Sequence, residues 1–330
     1  MRPMHVVVPV ACAVLSSVCV GVLAQPAAGA GAGKWPEKPI RAIVAFAPGG
    51  GTDVVARLLA PRMSEDLGQS VVLDNRPGAG GTIGSELAVR ANPDGYTQLF
   101  IPSSYASSAA LYKLNFDPIK GITPINLIGI GPLVLLVNPT SKVTTLKELI
   151  DYARANPGAV SFGSSGIGGT PHLSGELLQQ LTGIKLGHVP YKGDGPAMAD
   201  LMGGHIQAAF AAGASSVPQI RAGRLRGLGV TTPKRATAAP DLPAMGETVP
   251  GFSSSTWYGL VGPVGLSKEV VTRLSQTMVR VLERPDVQER LRADVVEPTP
   301  STTPEEFARF IATEIALWTK VIKAGNVKID

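Results

Sequence analysis

Three times in this chain a short apolar run stops at a glycine-rich turn and gives way to apolar residues at helical spacing. Ile40 to Phe46 leads into Pro48-Gly49-Gly50-Gly51-Thr52-Asp53 and a helical pattern ending at Leu67. Val160 to Gly163 leads into Ser164 to Thr170 and a helix from His172 to Leu181. His188 to Tyr191 leads into Gly193-Asp194-Gly195-Pro196 and another helix. A parallel strand pair needs a crossover between its members, usually a helix, so this alternation predicts an α/β fold. Further strands are expected at Val71 to Asp74, Thr97 to Ile101, Leu133 to Val137, Ile206 to Phe210 and Leu225 to Val230. Helices are expected at Leu146 to Ala155 and, in the tail, at Lys268 to Leu282, Pro285 to Ala293 and Pro304 to Ala324. Two α/β units and a block of packing helices suggest two lobes. The expected crossings between them are Leu133 to Val137 and Trp257 to Val261.

The N-terminus sets the compartment. Arg2 and His5 precede an apolar run from Val6 to Leu23, and Val22-Leu23-Ala24 offers a cleavage site with an Ala/Gly tail behind it. That is the layout of a secretory signal peptide, expected over residues 1–30. The rival reading is an uncleaved anchor, since the run approaches the roughly 20 residues that span a bilayer. Both cysteines, Cys12 and Cys19, lie inside this segment. The mature chain then has no disulfide, no thiolate nucleophile and no Cys-ligated metal. The one other long apolar stretch, Leu127 to Val137, contains Pro132 and reads as a buried strand. A formal charge of +5 spread without any Lys or Arg run lacks the footprint of a nucleic-acid binder.

The three turns are where chemistry is expected. Each joins the C-terminal end of a strand to a helix start, the side on which open α/β sheets bind ligands. A helix start presents unpaired N–H donors and partial positive charge, and glycine lets the backbone come close to an anion. The plain alternative is that they are ordinary tight turns. No arginine lies in them, and the nearest cation is Lys192. Hydrogen bonds to a charged group contribute about 1.5–3 kcal/mol each, and micromolar affinity corresponds to about −8 kcal/mol. Four or five amide and hydroxyl donors therefore suffice for a carboxylate.

Enzyme signatures fail on inspection. Gly166-Ile167-Gly168-Gly169-Thr170-Pro171 has proline where a dinucleotide fingerprint needs glycine, and no Gly-Lys-Ser/Thr follows a glycine loop. Neither Ser164 nor Ser165 sits in a nucleophile elbow. His172, His188 and His205 lack metal-type spacing, so neither a metal nor a cofactor is expected. Asp53 and Asp194 sit at helix starts, where the default role of aspartate is to accept a backbone N–H. His172 opens the helix beside the second turn and is a candidate ligand contact.

The longer motifs carry a resemblance. WPEKPIRAIVAFAPGGGTDVVAR from Trp35, GQSVVLDNRPGAGGTIG from Gly68, NPDGYTQLF from Asn92, GHVPYKGDGPAMADLMGG from Gly187, LPAMGETVPGF from Leu242 and WYGLVGP from Trp257 follow one another in order. In these the chain resembles the Bug-type extracytoplasmic solute receptors, the binding components of tripartite tricarboxylate transporters. The resemblance implies a type II periplasmic-binding-protein fold, with lobe I at 34–135 plus 258–330 and lobe II at 136–257. It implies a non-enzymatic, periplasmic, monomeric receptor for a small carboxylate, served by integral membrane transporter subunits on separate chains. Ligand-binding positions carried over are Phe46, Gly49, Gly50, Gly51, Thr52, Asp53, Ser103 and Ser104 from the first lobe. From the second come Ser164, Ser165, Gly166, Thr170, His172, Gly193, Asp194 and Gly195. The serine-rich PSSYASS from Pro102 is expected to tune ligand choice. Two other readings of the same residues are a periplasmic enzyme using Asp194 or His172, and a sensor for a membrane kinase.

Overall fold

The structure is a computed structural model that describes residues 35–300 and 302–325, so the expected signal segment lies outside the described residues. In chain order the elements are β1 (Ile40–Val44), α1 (Gly51–Leu67), β2 (Val71–Asn75), α2 (Thr82–Val89), β3 (Thr97–Pro102), α3 (Ser104–Leu111), β4 (Ile122–Gly131) and β5 (Leu133–Val137). There follow α4 (Leu146–Ala155), β6 (Ser161–Ser164), α5 (Thr170–Thr182), β7 (Gly187–Pro190), α6 (Asp194–Met202), β8 (Ala208–Ala212), α7 (Gly213–Arg221) and β9 (Arg226–Val230). The chain closes with β10 (Thr256–Pro263), α8 (Lys268–Glu283), α9 (Pro285–Ala293), β11 (Glu297–Pro298) and α10 (Pro304–Gly325).

Two sheets result. One has the order β11-β4-β10-β3-β1-β2, the other β7-β6-β8-β5-β9. Among the strands of the described residues, the parallel pairs are β1 with β2 and β3, and β6 with β7 and β8. In each sheet one inner strand runs backwards: β10 against β3 and β4, and β5 against β8 and β9. These two antiparallel strands are reached after a change of sheet and so enter from the opposite end.

The stretch Leu127 to Val137, read above as one strand, is two strands in two sheets. Pro132 separates them. It has no N–H to continue a ladder, and its carbonyl instead accepts from Gly213 N at 2.9 Å. The expected boundaries at 135/136 and 257/258 fall inside β5 and β10. The two points at which the chain changes sheet are tied together, since Leu133 N donates to Thr231 Oγ1 at 2.9 Å and Thr231 N donates to Leu133 O at 3.0 Å.

β5 shows why the second sheet reads as an unbroken apolar run. Leu135 and Val137 pack with Phe162 and Phe210 on one face, while Val134 and Leu136 pack with Met198 and Leu201 on the other. Side chains alternate along a strand, so a strand covered on both faces needs every position apolar. The first sheet is covered from the C-terminal end of the chain, where Phe307 and Ile311 of α10 join Ile43, Leu99, Ile101 and Trp257. Among the described residues no helix is long and apolar enough to cross a membrane.

Candidate functional site

The first turn is built from the end of β1. Helix α1 begins at Gly51, three residues before the apolar periodicity does, so Thr52 and Asp53 lie in its first helical turn. Gly49 takes φ +80°, the left-handed region that favours glycine. At Gly51 a Cβ would fall 2.5 Å from Ala212 Cβ and 2.6 Å from Tyr258 Oη, so no side chain fits without displacing both. Asp53 is wholly engaged. Its Oδ2 accepts from Gly49 N at 2.9 Å and Arg57 Nε at 2.7 Å, and its Oδ1 accepts from Asn75 Nδ2 at 3.0 Å. Burial pushes its pKa up, but Arg57, the Gly49 N–H and Asn75 together outweigh burial and hold it below the ordinary value.

The second turn follows β6. Buried Ser164 places Oγ 2.7 Å from His188 Nε2 and 3.2 Å from Gly166 N. His172 turns away from the gap between the loops. Its Nδ1 accepts from Gly168 N at 3.0 Å, and its ring stacks on His188 with centroids 3.8 Å apart. Burial, followed by the neighbouring His172, depresses the His188 pKa to about 3. These histidines brace the underside of the loop. Ser103 and Ser104 join the two sheets: Ser103 Oγ lies 2.8 Å from Thr170 Oγ1 and donates to Thr256 Oγ1 at 3.0 Å. Ser104 Oγ accepts from Thr170 N at 3.2 Å.

The third turn abuts the first. Ala47 N donates to Lys192 O at 2.9 Å, and a Cβ on Gly195 would fall 2.3 Å from Pro48 O. Gly193 precedes α6 without a side-chain cap. Asp194, only 6% exposed, accepts from Ala212 N through Oδ2 at 3.1 Å, while its Oδ1 is buried with no hydrogen-bond partner. Burial pushes the carboxyl's pKa up, against the pull of the Ala212 and Gly51 N–H groups and the Ser165 hydroxyl.

These turns enclose one small cavity of about 20 Å³, lined by Phe46, Gly50, Gly51, Thr52, Pro102, Ser104, Leu133, Ser165, Pro171, Asp194, Ala212, Thr256 and Tyr258. Of the sequence-predicted residues, Phe46, Gly50, Gly51, Thr52, Ser104, Ser165 and Asp194 reach its wall. Gly49, Asp53, Ser103, Ser164, Gly166, Thr170, His172, Gly193 and Gly195 stand behind it and shape the loops. Sequence reasoning missed Thr256 and Tyr258, although Tyr258 lies within the WYGLVGP motif. It also missed Ala212, at the start of the unrecognised helix α7.

The helices that meet here share a feature. α1, α5, α6 and α7 begin behind Gly50, Gly169, Gly193 and Ala212 with no side-chain cap. Away from the cavity, α4 and α8 are capped by Thr145 and Ser267, while α2 and α9 also begin without a side-chain cap. A capping side chain would occupy N–H groups that an anion could use, and some here are already engaged from neighbouring elements, Thr170 N by Ser104 Oγ and Ala212 N by Asp194 Oδ2. Among the described residues no group of three or more His, Cys, Asp and Glu is placed to hold a metal ion.

Comparison with known proteins agrees with this fold. BugT of Bordetella pertussis is 37% identical over 307 residues, covering 92% of this chain and 94% of BugT. The structure of the periplasmic binding protein BugD superposes with TM-score 0.86 at 34% identity, covering 89% of this chain and 99% of that one. A structure of R. palustris Rpa4515 with adipate gives TM-score 0.86 at 35% identity, again over 89% and 99%. The model of the tripartite tricarboxylate transporter family receptor matches residues 55–327, and the chain belongs to that family.

Proposed function

We propose that this receptor captures a small carboxylate in the periplasm with backbone N–H groups and hydroxyls from two lobes, then passes it to membrane transporter subunits. The observation that carries this reading is the meeting of uncapped helix starts from both sheets on one cavity whose wall has no Lys, Arg or His. Donors on that wall include the hydroxyls of Thr52, Ser104, Ser165, Thr256 and Tyr258. The adipate held by the R. palustris relative supports the ligand class.

The gap is about 20 Å³, while one water-sized group needs roughly 10–15 Å³. A molecule with several carbons enters only when the loops part. We take the lobes to divide at Pro132 and within 231–255, and to pivot on the paired Leu133 and Thr231 backbones. Nothing on the wall resembles a general base oriented by a third group, which favours capture without turnover over the enzyme reading.

The test is a thermal-shift screen of mono-, di- and tricarboxylates and amino acids, followed by calorimetry. A ligand that binds only the native state at about 100 times its Kd stabilises by about 2.7 kcal/mol. The expected result is a rise in melting temperature for one carboxylate group, with the compound recovered unchanged after prolonged incubation. No shift with any carboxylate rejects the proposal, and consumption of the compound favours the enzyme.

A further inference from the structure

Two polar atoms on the cavity wall are left unsatisfied by the rest of the protein. Asp194 Oδ1 and Tyr258 Oη are both buried without a hydrogen-bond partner, on residues 6% and 1% exposed. Both residues line the same cavity of about 20 Å³. A buried carboxyl with an empty coordination is costly unless something completes it.

The surroundings decide its charge. From α1, Asp53 is already paired with Arg57. From β10 comes Tyr258, whose pKa is raised by burial first and by the Asp194 charge second, against a smaller opposing pull from the Thr256 hydroxyl beside it. Behind Tyr258 lies Asp294, paired with Arg290 at 2.8 Å. From the β6–α5 loop comes Ser165, while His172 and His188 are turned onto Gly168 N and Ser164. The starts of α7 and α1 contribute the Ala212 and Gly51 N–H groups, which with the Ser165 hydroxyl pull toward the ionised form against burial, the larger effect. Further along α6, Asp200 is engaged by Tyr191 and His205. No cation lines the cavity, so an ionised Asp194 would face an ionised ligand across it with nothing between them to neutralise either.

We propose that Asp194 meets the bound carboxylate as a neutral acid, with Oδ1 donating its proton to a ligand oxygen and Tyr258 donating its phenol proton to the same group. The proton belongs on Oδ1 because Oδ2 already accepts from Ala212 N. One proton is then shared between two carboxyl groups, Asp194 Oδ1–H to ligand O⁻. Capture of an ionised ligand by ionised Asp194 therefore takes up one proton from solvent. Such coupling selects for a carboxylate at this pole of the ligand and makes release easier as pH rises. It rests on the carboxylate-receptor reading above.

The test is calorimetric titration of the mature chain with adipate, from about pH 6.5 upward to about pH 9, where the probe's own carboxyls are ionised. Succinate or benzoate replaces adipate if adipate does not bind. The wild-type Kd should rise with pH, by up to about tenfold per unit once free Asp194 is ionised. Asp194→Asn keeps an N–H donor at every pH; it should bind more weakly at the acidic end but with a flat profile. Tyr258→Phe should weaken binding and keep the wild-type slope, which guards against a folding defect at Asp194. Parallel pH profiles for wild type and Asp194→Asn overturn the proposal. So does a preference of tenfold or more for aspartate over succinate that Asp194→Asn abolishes, because Asp194 would then be an anion facing an ammonium group. If no carboxylate binds either form at any pH, the receptor reading itself fails instead.

Discussion

Asp53 and Asp194 occupy similar places and have opposite fates. Each lies in the first turn of a helix that faces the cavity, and they are 2% and 6% exposed. Asp53 is closed in by an arginine, an amide side chain and a backbone N–H, and its acidity is strengthened. Asp194 has no cation beside it, only the Ala212 and Gly51 N–H groups and the Ser165 hydroxyl, and burial outweighs them and weakens its acidity. The same residue type at the same kind of position therefore does two jobs. Asp53 fixes the loop that forms the wall. Asp194 keeps an atom free for whatever the wall encloses.

The largest effect expected is at the loop that Asp53 holds. A Cβ at Gly50 meets nothing closer than Asp194 N at 3.5 Å, so the backbone accepts a side chain there. Gly50→Leu should then fill the space beside Asp194, weakening carboxylate binding by on the order of 100-fold or more with little change in melting temperature. Unchanged affinity by calorimetry would remove this turn from the site. Next comes Asp53→Ala, which strands the Gly49 N–H and leaves Asn75 Nδ2 only its bond to Phe46 O, while Arg57, over half exposed, returns to water. It should lower stability by about 1–3 kcal/mol in urea unfolding at neutral pH, and no loss would mean that the loop holds itself.

The two aspartates should also respond oppositely to pH. Asp53, with a lowered folded pKa, stabilises the protein above the ordinary value of 3.8 and ceases to as pH falls below it. Asp194, with a raised pKa, penalises the folded state as pH rises above 3.8. Asp194→Asn should therefore be more stable than wild type at neutral pH, by a margin that shrinks toward pH 4. A margin independent of pH would show that Asp194 is not the group responsible. The smallest effect expected is at His188, whose folded pKa of about 3 lies below 6.5. Its contribution is lost as pH falls from 6.5 toward 3, and His188→Gln should flatten that part of the stability curve. An identical acid limb in the variant would assign the loss to other groups.

Much of the fold was legible because periodicity and turn chemistry agree. Leu133 to Val137 and Leu146 to Ala155 match their observed elements residue for residue. α3 and α7 were missed for a physical reason. SYASSAAL is rich in serine, and GASSVPQIR carries Pro218 inside the helix, so local preference argues against both. They form because their faces are buried, with Ser104, Ser107, Ser215 and Ser216 all nearly inaccessible. Of the site, the glycine turns were visible because a helix start needs them. Tyr258 and Thr256 were not, since nothing in a strand sequence tells which buried hydroxyl lacks a partner.

One consequence of the topology concerns time rather than space. All five strands of the second sheet lie between Leu133 and Val230, whereas β10 slots between β3 and β4 of the first. During synthesis the second sheet has every strand it needs while the first still has a slot in its middle. The N-terminal strands must therefore wait, incompletely paired, for the last quarter of the polypeptide to arrive.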